Sequence, residues 1–151
     1  MLLRYRAFSV LAAALLIVVG VAYLESTPTM AEPLSVTLTG AQEVPPVRTL
    51  ATAVSTISVA ADGTVTGVVD TMGITGTMAH IHLGAIGVSG PVVVTLEQTS
   101  AKRWSVPDGT KLTEEQMQSY KNGDLYVNVH SAAHKSGEIR LQLTPSAGVT
   151  H

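Results

Sequence analysis

What most constrains this chain is a series of short segments in which apolar and polar residues alternate, each stopped by glycine, proline or aspartate. Successive residues of a strand face opposite sides, so alternation marks a strand with one buried face. Leu34–Thr39, Val54–Ala60 and Thr64–Val69 all read this way, and Ala61-Asp62-Gly63 between the last two is a hairpin signal. Asp62 and Asp108, each before a glycine, read as turn residues. The tandem prolines of Gln42–Pro46 cannot donate to a ladder, so that stretch is loop. Met78–Leu83 and Val92–Leu96 flank a compact glycine-rich loop, Gly84–Pro91, and Leu125–His130 and Glu138–Leu143 are the last two strands.

One helix is predicted before those two strands. Thr113 is a good N-cap, Gln116 three residues on completes a capping box, and Glu114 and Glu115 suit the helix dipole. Gly123 ends the helix as a left-handed cap. No internal repeat is visible. About seven short strands with one late helix predict an all-β fold, an antiparallel Greek-key β-sandwich of the immunoglobulin or superoxide-dismutase kind.

The core must come from Val, Ile, Leu, Ala and Met, because the 151 residues include one Trp, one Phe and four Tyr. There is no cysteine, so neither a disulfide nor a thiolate metal site is available, and a soft-metal site must use His and Met.

The first 31 residues have a different character. Arg4 and Arg6 precede the apolar run from Ala7 to Leu24, and Thr29-Met30-Ala31 offers small residues where a signal peptidase reads. This is a secretory signal cleaved before Glu32. The competing reading is an uncleaved membrane anchor, since the run is just long enough to span. Either reading puts the domain, residues 32–145, outside the cytoplasm, in the periplasm or secreted, with residues 146–151 as a flexible tail. Cleavage leaves seven basic against ten acidic residues. Without a basic cluster, nucleic acid is excluded as a partner. A membrane is a partner only if the N-terminal segment stays attached.

Four of the five histidines fall in two short segments, His80-x-His82 and His130-x₃-His134; the fifth, His151, is the last residue. Strand parity places Met78, His80 and His82 on one face, the two imidazoles starting roughly 6–7 Å apart at Cβ. On the later strand Tyr126, Asn128 and His130 share a face, with the valines opposite as core. His134 follows in a loop that could fold back over the strand end. A lone strand histidine is ordinarily a hydrogen-bonded or exposed residue, but two clusters in an otherwise histidine-free domain point to a shared metal. The candidate ligands are His80, His82, His130 and His134. Met78 reads as core by default and, in line with the histidines, as a candidate thioether ligand. Imidazole with thioether favours copper, with zinc the alternative. Glu43 reads as a turn residue or a carboxylate behind the site, and Glu138 with Arg140 as a surface ion pair. No nucleophile elbow, phosphate loop or paired catalytic carboxylates are visible.

Three ordered motifs carry a family resemblance: Leu38-Thr-Gly-Ala-Gln-Glu-Val-Pro-Pro-Val47, Ala79-His-Ile-His-Leu-Gly84 with Gly90-Pro-Val92, and Tyr126-Val-Asn-Val-His-Ser131 with Gly137-Glu-Ile-Arg140. Together they resemble the CHRD domain, named for chordin, an extracellular antagonist of bone morphogenetic proteins, and found also in exported bacterial single-domain proteins. The resemblance spans about Leu34 to Leu143 and departs at Leu141, where the family often has glycine. In chordin the implied role is protein binding, which a free-standing copy need not share. The matched positions include His80, His82 and His130.

A weaker resemblance runs to the copper site of copper–zinc superoxide dismutases, through Met78-Ala-His-Ile-His82 and Val127-Asn-Val-His130. The disulfide cysteines and the zinc-holding histidines and aspartate of those enzymes are missing, and no catalytic arginine can be assigned. Copper binding is therefore implied more strongly than dismutase activity. The expectation is an exported copper-binding domain for buffering or protection. The alternatives are a copper-only, superoxide dismutase-like enzyme and an extracellular protein-binding module whose histidines only stabilise loops, with another exported protein as partner.

Overall fold

The computed structural model describes residues 36–145; the expected signal or anchor, the first residues of the first strand and the C-terminal tail lie outside them. The described residues form an all-β fold with one helix. The strands are β1 (Val36–Thr39), β2 (Thr52–Ser55), β3 (Ser58–Val59), β4 (Val65–Thr66), β5 (Val68–Met72), β6 (Gly76–Leu83), β7 (Val92–Thr95), β8 (Glu97–Ser100), β9 (Arg103–Ser105), β10 (Leu125–Ser131) and β11 (Ile139–Leu143). Nine of them pair in the order β7-β6-β10-β11-β1-β2-β5-β9-β8, and β3 and β4 form a separate ribbon. Every pairing is antiparallel.

The two ends of this order are joined by one residue. Strands β7 and β8 occupy opposite edges of the sheet, yet only Leu96 separates them in the chain. Its N–H donates to Ala79 O at 2.9 Å, and its side chain is buried. The sheet must therefore curl until its edges meet, giving a barrel-like sandwich. Inside it, Leu38, Ala53, Val69 and Trp104 pack against Ala79, Ile81, Val127, Val129 and Ile139.

More strands are present than the seven expected. The segment Val54–Ala60 divides into β2 and β3, and Thr64–Val69 into β4 and β5. At the second break Gly67 has φ +122, with the Thr56 carbonyl and Ile57 backbone pressed where a Cβ would stand. Strand β8 carries polar residues on both faces and so lacks the alternation that marks a strand, and β9, with Trp104 alone turned inward, is only three residues long. The helix α1 (Glu114–Lys121) forms as expected: Thr113 and Gln116 complete the capping box, and Gly123 follows with φ +78.

Strand β10 is buried on both faces. One face carries Leu125, Val127 and Val129 into the core. The other carries Tyr126, Asn128 and His130, which alternation alone leaves undecided between surface and site. It is buried because three connections, residues 40–47, 84–91 and 132–138, fold over it. The result is a second, polar layer on the outside of β6, β10 and β11.

Candidate metal centre

Parity places the side chains of β6 as expected: Ala79 and Ile81 enter the core, and Met78, His80 and His82 take the other face. Register then sets their neighbours. His80 lies opposite Asn128, His82 opposite Tyr126, and Met78 opposite His130. The pairing slips between His130 and Ser131, an irregularity of the kind that re-aims side chains at the end of a strand.

His80, His82 and His130 converge so that one ring nitrogen from each lies within 4.8 Å of the other two. Two nitrogens bound to one ion at roughly 2.0–2.1 Å are about 3–4 Å apart. Closing the cluster on an ion therefore needs inward shifts of about half an ångström, well within side-chain freedom.

Hydrogen bonds dictate which nitrogens are free. His82 donates its Nδ1–H to Gly90 O and His130 donates its Nδ1–H to Lys135 O, each at 2.9 Å. A carbonyl can only accept, so in the neutral rings both protons sit on Nδ1 and both Nε2 atoms carry lone pairs. His80 Nδ1 approaches His130 Nε2 to 3.0 Å. Nε2 of His82 is buried and makes no hydrogen bond of ordinary geometry, although the Asn128 side chain acts on the ring. A buried polar atom without a partner is uncommon and asks for a reason. Here a metal ion would supply it.

The electrostatics agree. Burial, with the neighbouring His130 and His82, pushes His80 down to a pKa of about 4, and burial chiefly lowers that of His82. Both shifts favour the neutral ring, the form that binds metal.

A clamp holds His82. Its ring stacks on Tyr126 with centroids 4.8 Å apart and planes 3° from parallel. The Tyr126 hydroxyl accepts from Gly90 N–H at 3.2 Å, the same glycine whose carbonyl takes the His82 proton. On the β11 side, the Arg140 guanidinium carbon sits 3.4 Å from the Tyr126 ring centroid.

Met78 is not a core residue: it is 46 % exposed, on the histidine face beside His130. His134 lies in the β10–β11 loop, where its backbone serves Ser131 and Gly137, and it is not one of the three converging histidines. Glu138 and Arg140 are no surface pair, because both are buried. Glu138 accepts from Thr49 and Ser131, while Arg140 donates to Ala85 O and the Gln142 side chain. Glu43 is buried, its carboxyl lying over Gly137 and the Asn128 amide and raised to a pKa of about 6, mainly by desolvation. Sequence reading placed Tyr126 on the right face but gave it no part, and it missed the Gly90 and Lys135 carbonyls. Backbone groups leave no residue-type signal.

The family model described as the CHRD domain matches residues 34–143. No curated protein and no solved structure matches the chain.

Proposed function

Because the chain belongs to the CHRD domain family, we propose that it is an exported copper-binding module that buffers copper or protects against it outside the cytoplasm. His80, His82 and His130 are the ligands, through His80 Nδ1 and the Nε2 atoms of the other two. Met78 completes the site when the ion is monovalent, and His134 has the lesser claim. The carrying observation is the buried, unpartnered Nε2 of His82, aligned by its stack on Tyr126 and its bond to Gly90. Copper is preferred over zinc because the set holds imidazole nitrogens and a neighbouring thioether, with no carboxylate. Export agrees with the extracellular setting of the CHRD family and with the basic, then apolar, N-terminal segment.

Copper and zinc titrations of the protein, purified as the cell exports it, test this. The wild type is expected to bind one copper ion, and a His80→Ala, His82→Ala variant to bind at least a hundredfold more weakly. Equal, weak binding by both would sink the metal site. The mass of the exported protein separates a chain beginning at Glu32 from one retaining its apolar segment. A superoxide consumption assay on the copper-loaded protein separates a carrier from a dismutase-like enzyme.

One observation favours a protein-binding role. Ile86, Val88 and Val92 are 80 %, 51 % and 48 % exposed around one loop. Apolar side chains grouped on a surface mark contact sites.

A further inference from the structure

We propose that Arg140 sets which ion the three-histidine site prefers, favouring monovalent copper over divalent ions. The inference rests on the copper-site reading above and concerns what tunes that site.

Strands β6 and β11 lie on either side of β10, so His82 and Arg140 reach the Tyr126 ring from opposite sides. Two stacking distances, 4.8 Å and 3.4 Å, separate the His82 ring from the guanidinium carbon. Arg140 is 1 % exposed and cannot give up its proton. Its charge is not cancelled by contact: the ion pairs among the described residues are Arg103–Asp70 and Lys111–Asp62. Instead Arg140 Nη2 donates to Ala85 O and Gln142 Oε1, while the buried Nη1 has no partner. Glu43 is the carboxylate whose charge acts on it, after the Tyr126 phenol, and it does so without ion-pair contact.

The ligand set is neutral, three imidazoles without a carboxylate. A fixed positive charge behind it therefore repels a divalent ion twice as strongly as a monovalent one. At about 10 Å and an effective dielectric constant near 20, each unit of ionic charge loses roughly tenfold in affinity. That tenfold is the bias Arg140 gives to Cu(I) over Zn(II) or Cu(II). Glu43, of opposite sign, offsets part of it.

Cu(I) and Zn(II) affinities of the exported protein at pH 7.5, where Glu43 is ionised, test the idea in Arg140→Gln and Glu43→Gln. Zn(II) serves as the divalent probe because it has no redox chemistry. R140Q is expected to lower the ratio of Cu(I) to Zn(II) affinity about tenfold, and E43Q to raise it severalfold. A merely structural role for either residue would not give shifts of opposite sign. If R140Q does not fold, E43Q decides alone, and a ratio that is unchanged or lowered overturns the proposal. If both variants fold and bind metal with the wild-type ratio, the charge role fails while the copper site stands. A wild type that binds neither ion sinks the copper-site reading, and this inference with it.

Discussion

His80 Nδ1 stands 3.0 Å from His130 Nε2 across the β6–β10 pair, and the direction of that hydrogen bond is fixed from outside it. His130 gives its Nδ1–H to Lys135 O, so its Nε2 can only accept and His80 must donate. A metal that takes both lone pairs requires His80 to move its proton to its own Nε2. Nitrogen NMR of the metal-free protein at pH 7 is expected to show His80, His82 and His130 as Nδ1–H tautomers. Adding zinc should switch His80 alone. A metal-free His80 protonated on Nε2 would contradict the arrangement.

Gly90 serves the site twice, accepting from His82 and donating to Tyr126. A Cβ there would stand 1.7 Å from Leu83 O, so the loop cannot take a side chain without moving. Gly90→Ala should displace both bonds. Outer supports of metal-binding histidines are typically worth 10–100-fold in affinity. A loss of that size, with the strand circular dichroism retained, is the expected result, and wild-type affinity would remove the clamp from the site.

Much of this was legible in the sequence, and the exceptions share a cause. Strand parity placed His80, His82 and Met78 on one face, and Val127 and Val129 in the core, because a period of two is a backbone property. The helix was legible because its capping box is local. Alternation, however, reports which residues share a face and not what covers that face. Met78 was read as core and Arg140 as surface, and the structure reverses both. Arg140 is buried because Tyr126 supplies a π face and a loop far along the chain supplies the Ala85 carbonyl. Closure of the sheet through Leu96 was equally invisible, since it depends on pairings remote in sequence.

Met78 lies directly opposite His130 and is 46 % exposed, so replacing it costs the core little. Met78→Leu keeps volume and removes the sulfur. A thioether is a soft donor that serves Cu(I) and not Zn(II). Cu(I) affinity is expected to fall about tenfold while zinc affinity holds. Equal effects on both ions would make Met78 a bystander.

Free imidazole, with a pKa near 6.5, would lose metal affinity steeply below that pH. The buried cluster should resist longer. His80 is held at about 4 and His82 is lowered, so both rings take up protons at a lower pH than free imidazole. Affinity should therefore begin to fall at a lower pH than free imidazole would, with His80 itself competing only as the pH approaches 4. Stability of the metal-free protein shares one arm of this. Below 6.5 the unfolded chain takes up a proton that folded His80 refuses, so stability falls from pH 6.5 towards 4. A metal titration series with its midpoint at pH 6.5 would show the rings to be solvated.

Gly137 is where Glu43 enters the polar layer. A Cβ at Gly137 would meet Glu43 Oε1 at 2.4 Å and Asn128 Nδ2 at 2.7 Å, and its φ of +129 strains any other residue. Gly137→Ala should therefore cost about 1–3 kcal/mol for the backbone alone, with a further loss from pushing the carboxylate aside. Glu43→Ala removes the obstructing atoms, so the double variant should be less destabilised than the sum of the single ones. Glu43 also carries its own pH signature. Its folded pKa of about 6 exceeds the ordinary 4.5, so the unfolded chain ionises first as the pH rises. Stability is lost between 4.5 and 6 and stays lost above. Glu43→Gln removes that loss, and its melting temperature relative to wild type should be more favourable at pH 7 than at pH 4.5. Additive single variants together with a pH-independent difference would place Glu43 outside the layer, in solvent.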